Sequence, residues 1–180
     1  MGLLLAELEK LRQEWRREVV HPMLGPASLH VPLLSGGRQL FIYAGGCEAR
    51  LECRTVPGQT RDRVQTRLKE ILDDLGRRIE NFQGRVEAIL WQDGYEIDPG
   101  RPLVRKVLAA ASAVRGEEAR VIGHPWWEDS ALLGAAGIET VILGPRGEGL
   151  HTEEEWVEVD SVIQLAEILH RSTVDWCGID

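Results

Sequence analysis

Between Cys47 and Ile79 the apolar residues change their repeat, and that change limits the possible folds more than any other feature of the sequence. Cys47, Ala49, Leu51 and Cys53 alternate with Glu48, Arg50, Glu52 and Arg54, the pattern of a strand with one buried face. After a Pro57-Gly58 turn, Val64, Leu68, Ile71, Leu72, Leu75 and Ile79 recur at helical spacing behind Thr60, a residue able to cap the helix. A half-buried strand followed by an amphipathic helix calls for a sheet whose apolar face is covered by helices.

The flanking segments fit that scheme. Leu4, Leu8, Leu11, Trp15 and Val19 form a first helical stripe, which His21-Pro22 and Gly25-Pro26 end because proline cannot continue a helix. Ser28 to Leu34 and Gly84 to Gln92 read as further strands. The stretch from Asp93-Gly94 to Arg101-Pro102 is dense in turn residues, and a domain boundary is placed there. Residues 1–97 thus run helix, strand, strand, helix, strand, a ferredoxin-like sandwich lacking its first strand.

Residues 98–180 alternate differently. A helix with Val104, Val107, Leu108 and Ala111 follows Pro102, and helices are also expected over Ala131–Ala136 and Ser161–Trp176. Ala119–Gly123 and Thr140–Leu143 read as strands apolar on both faces, which implies a parallel sheet covered on both sides. Two strands are too few for such a sheet, so the segment reads as part of a larger α/β domain.

Composition narrows the function classes. With 43% hydrophobic and 28% charged residues the chain can bury a core, and a net charge of −8 gives no electrostatic footprint for nucleic acid. No apolar run reaches the ~18 residues that cross a bilayer, and the start lacks the positive region of a signal peptide, so a cytoplasmic protein without a membrane partner is expected. Cys47, Cys53 and Cys177 have no CxxC spacing and read as reduced thiols rather than a metal-thiolate site.

The densest polar constellation is the loop from Gly144-Pro145 through His151 to Glu155-Trp156-Val157, leaving the carboxyl end of an expected buried strand, where open α/β sheets bind ligands. Its glycines allow close approach to a ligand, His151 offers an imidazole to a metal, and Glu155 could orient that ring from behind. Read from spacing alone, His151 is more often a solvated loop residue than a metal ligand, and Arg54 is equally the polar end of a strand.

Trp127-Glu128-Asp129-Ser130-Ala131-Leu132-Leu133, Ala136-Gly137-Ile138, Leu143-Gly144-Pro145 and His151-Thr152-Glu153-Glu154-Glu155-Trp156-Val157 together resemble the C-terminal part of the di-zinc metallopeptidase family that includes acetylornithine deacetylase, succinyl-diaminopimelate desuccinylase, aminoacylase and carboxypeptidase G. Tyr43, Cys47, Glu52, Arg54, Pro57 and Gly58 resemble the same family's lid domain. The resemblance implies a lid and dimerisation domain over residues 1–97, without its first strand, and the last part of a catalytic domain over 98–180. It further implies hydrolysis of an amide on a small N-acyl amino acid or peptide, with two zinc or cobalt ions in the complete enzyme and a homodimer formed through the lid.

Carried over residue by residue, His151 matches the last metal ligand, with Glu155 behind it, and Arg54 the lid arginine that holds a substrate carboxylate. Asp129, Gly144 and Pro145 match positions lining the substrate cleft. None of His21, His30, His124, His151 and His170 opens a His-x-Asp, and Glu117-Glu118 reads as a solvated pair. Phe41 and Ala44 replace a small polar residue or asparagine and a proline of the relatives. The chain alone is therefore expected to hold no catalytic residue and to be inactive without the family's N-terminal half, whether that half is a separate chain or not. The alternative from another class is a non-catalytic dimerisation or small-molecule-binding module.

Overall fold

The computed structural model describes residues 1–178. The chain has a mixed α/β fold and divides into two compact units, Met1–Gly94 and the remainder from Tyr95 onward.

In the first unit, helix α1 (Gly2–Glu18) turns its Leu8, Leu11 and Trp15 stripe inward. A two-residue hairpin, β1 (Val20–His21) with β2 (Gly25–Pro26), follows where the prolines end the helix. Strands β3 (Ser28–Gly36) and β4 (Cys47–Arg54) then pair antiparallel, from Ser28 opposite Arg54 to Gly36 opposite Cys47. The register shifts between His30 and Leu33, around Pro32, which has no N–H to give the ladder. In β4 the half-buried alternation holds from Ala49 through Leu51 to Cys53, while Cys47 at the strand's start is exposed.

Helix α2 (Arg61–Arg78) begins as the sequence predicts, with the Thr60 hydroxyl accepting from the Arg63 N–H at 3.4 Å, and buries Val64, Leu68, Ile71 and Leu75. These side chains join Leu8, Leu11, Trp15, Ala27, Leu29 and Val56 in one apolar cluster that glues α1 and α2 to the hairpin. Ion pairs Arg67–Glu14 and Arg78–Glu7, each at 3.0 Å, tie the two helices together at their surfaces. The tip of the β3–β4 hairpin exposes Leu40, Phe41, Ile42 and Tyr43, Phe41 being 94% exposed and Ile42 60%.

In the second unit, helix α3 (Pro102–Arg115) starts on Pro102, as expected, and packs against α5 (Val159–Cys177). Val104, Val107 and Ala111 on α3 and Ile168 on α5 are the unit's buried apolar residues. Between them lie a short helix α4 (Ser130–Ala135) and a two-residue hairpin, β5 (Gly147–Glu148) with β6 (Trp156–Val157). A run of exposed apolar residues on α5, Val159, Val162, Ile163 and Leu169, lies away from its buried Ser161, Ile168 and Ser172.

Three expected strands do not form. Residues 84–92, 119–123 and 140–143 join no ladder, and no parallel pair occurs among the described residues. The physical reason is that a strand exists only through a partner for its N–H and C=O groups. At Thr140 a side chain takes the partner's place: the Tyr95 hydroxyl accepts from its N–H at 2.9 Å and donates to its C=O at 3.2 Å. At Ala119 the N–H likewise donates to the Ser112 hydroxyl at 3.0 Å. No helix among the described residues is long and apolar enough to cross a membrane.

Candidate functional site

The loop that presents His151 is built from its base upward. Arg146 N–H donates to the Ser161 hydroxyl at 2.9 Å, and Glu158 N–H donates to the Arg146 carbonyl at 2.9 Å. The Arg146 guanidinium grips the Glu158 carboxylate with two bonds, at 2.8 and 3.0 Å, and that carboxylate raises the arginine pKa above its usual value. Above this clamp β5 pairs with β6, Gly147 opposite Val157 and Glu148 opposite Trp156. Gly147 is required there, since a Cβ would run into the Trp156 carbonyl oxygen.

The apex is a tight turn. Thr152 donates to the Gly149 carbonyl through both its N–H and its hydroxyl, each at 2.8 Å. His151 itself takes the left-handed conformation, φ 64°, which few residues other than glycine adopt but which histidine tolerates better than most. Its main-chain N–H donates to Glu155 Oε2 at 3.3 Å, so the Glu155 carboxylate holds the backbone of His151 rather than its ring. The imidazole is exposed and lies edge-to-face with Trp126, ring centroids 5.3 Å apart and planes at 88°.

The remaining candidates sit as follows. Gly144 and Pro145 are exposed just before the Arg146 clamp, in the same loop as His151 and Glu155. Asp129 is exposed at the N-terminus of α4, where its side chain makes no capping bond. Arg54 ends β4 in the first unit, about half exposed, its Nε donating to Glu52 Oε1 at 3.0 Å. His124 Nδ1 stands 3.1 Å from Glu128 Oε1, and the His124 ring lies 6.1 Å from that of Trp126. Sequence reasoning overlooked this His124–Glu128 pair, although its four-residue spacing was visible. It also overlooked the Arg146–Glu158 clamp, for which twelve intervening residues leave no local signal.

No group of three or more His, Cys, Asp or Glu side chains able to hold a metal ion occurs among the described residues. A catalytic zinc takes about three protein ligands, so the described residues do not by themselves form a zinc centre.

Residues 18–174 match the family model of Peptidase family M20/M25/M40. The chain belongs to that family. It is 26% identical, over 98% of its own length and 46% of the relative's, to an acetylornithine deacetylase of Myxococcus xanthus. Its fold is similar to that of a tripeptidase from Staphylococcus aureus (TM-score 0.67, 20% identity, 94% of this chain and 43% of that one). It is also similar to the aminopeptidase PepT of Bacillus cereus (TM-score 0.65, 19% identity, 81% and 39%). A third similar structure is the M20 family metallo-carboxypeptidase Sso-CP2 of Sulfolobus solfataricus (TM-score 0.63, 18% identity, 92% and 43%). The chain thus spans less than half the length of each of these M20 relatives.

Proposed function

We propose that the chain is the C-terminal half of a metal-dependent amidohydrolase, a deacylase or peptidase acting on a small N-acyl amino acid or peptide. In this reading residues 1–97 form a ferredoxin-like lid that pairs two copies of the chain, and residues 98–180 close the catalytic domain. The observation that carries it is the His151 loop, a clamped hairpin whose apex presents an exposed imidazole, in a chain that belongs to a metallopeptidase family.

Within the complete enzyme His151 supplies one nitrogen to a zinc or cobalt site, and the other ligands and the proton-transferring glutamate come from the N-terminal half of the family's catalytic domain. Two ions are expected there, and a bound metal of this kind supplies Lewis acidity toward a carbonyl oxygen. Glu155 sets the His151 backbone. Arg54 carries the planar, permanently charged group suited to a substrate carboxylate, and reaching it requires release from Glu52. Asp129, Gly144 and Pro145 line the substrate cleft.

The test is hydrolysis of N-acetyl amino acids with added zinc or cobalt. The chain alone is expected to show no turnover, and the chain co-expressed with the N-terminal half of an M20 deacetylase is expected to show it, with Arg54→Ala raising KM more than it lowers kcat. Turnover by the chain alone that survives His151→Ala would overturn the assignment.

A further inference from the structure

We propose that Trp126 is a positioning residue that orients the His151 imidazole. The proposal rests on the reading of His151 as a metal donor and adds the group that aims it. Every hydrogen bond that shapes the loop apex is made by the main chain of His151 or by its neighbours Gly149, Thr152 and Glu155. Those bonds fix where the Cα sits and leave the ring free to turn about its two side-chain torsions.

A metal-bound histidine ordinarily has its ring fixed by a carboxylate or carbonyl on the second nitrogen. Here the nearby Glu155 carboxylate is spent on the amide. The aromatic contact with Trp126, at 5.3 Å and 88°, restricts the ring plane in another way, without a hydrogen bond to either nitrogen. Trp126 is itself 41% exposed and needs a support of its own. Its other ring neighbour is His124, tilted by 32° at 6.1 Å, and His124 is tethered to Glu128 through Nδ1 at 3.1 Å. Glu128, His124, Trp126 and His151 therefore form a continuous file of side chains running from the start of α4 to the loop apex.

The first measurement uses the full chain without metal. The ring protons of His151 should be displaced by the indole ring current from the positions of the other histidines. Trp126→Ala should return them, Trp126→Phe should keep a displacement, and the His151 amide signal should stay in place in both, showing that the loop is intact. If Trp126→Ala disturbs the amide, Glu128→Gln decides: a reduced displacement at constant amide position supports the file, and an unchanged displacement refutes it.

The second measurement is zinc affinity of the chain assembled with an M20 N-terminal half. His151→Ala should abolish the zinc that this chain contributes to binding, Trp126→Ala should weaken it about tenfold, and Trp126→Phe should recover it to within about twofold. If His151→Ala abolishes binding while Trp126→Ala leaves it unchanged, the positioning role alone falls. If His151→Ala leaves binding unchanged, the donor reading falls and the positioning role falls with it.

Discussion

At Gly149 the backbone φ is 73°, and a Cβ there would meet the Glu154 carbonyl oxygen and the Thr152 hydroxyl. Gly149→Ala should cost about 1–3 kcal/mol locally and open the His151 turn, seen as loss of the His151 amide's fixed chemical shift. An unchanged shift would show that the turn does not depend on that glycine. Cys53 offers a second check, in the first unit. Burial, and after it the charge of Glu52, pushes its thiol up to about 11, whereas Cys47 is exposed at the same strand's other end. Since the thiolate is the reactive form, an alkylating reagent at pH 8 should modify Cys47 quickly and Cys53 only after unfolding. Equal rates would place Cys53 at the surface. At this scale the sequence displayed the apex residues plainly, because Gly149, His151 and Glu155 lie within one turn of chain. It hid the supports, because Arg146–Glu158 and Trp126–His151 become neighbours only through folding.

Among the elements, the helices were legible and several strands were not. A helix satisfies its own backbone, so the stripes through Leu8, Leu11 and Trp15 and through Val64, Leu68, Ile71 and Leu75 were enough to announce α1 and α2. The pattern of residues 140–143 announced only a capacity to pair, and Tyr95 took the hydrogen bonds of Thr140 that a partner strand would have used. The surface of α1 also carries a pH dependence. Hydrogen bonds from Arg12 and then Gln13 lower the Glu9 carboxyl from its ordinary 4.5 to about 2, and Arg78 followed by Lys10 lowers Glu7. A carboxyl depressed on folding adds stability above its unfolded value and loses it as pH falls through the folded one. The first unit should therefore lose Tm progressively between pH 4.5 and about 2. Glu9 is solvent-exposed and Glu7 lies at the edge of the helix surface, 17% exposed, so the slope should be shallow and should flatten with salt. Glu9→Gln should reduce the slope further; parallel melting curves for the two proteins would contradict the assignment.

At the scale of the whole molecule, the second unit combines a small core with a wide apolar exterior. Its buried apolar residues are Val104, Val107, Ala111 and Ile168, while Trp127, Leu132, Ile138, Val159 and Ile163 are each more than half exposed. An exterior of this kind is the ordinary mark of a surface meant to be covered. The chain spans 46% of the length of its deacetylase relative, and no group of three or more possible metal ligands occurs among its described residues. The family and the candidate loop could be read from the sequence because their residues lie close together along it, but the state of the sheet could not, since a ladder depends on strands elsewhere. The central claim is that His151 is a metal ligand supplied by this chain. It is tested most directly by the zinc content of the chain co-purified with an M20 N-terminal half, comparing wild type, His151→Ala and His170→Ala, the last being exposed on α5. The account predicts that zinc falls in His151→Ala and is retained in His170→Ala; equal zinc in wild type and His151→Ala would contradict it.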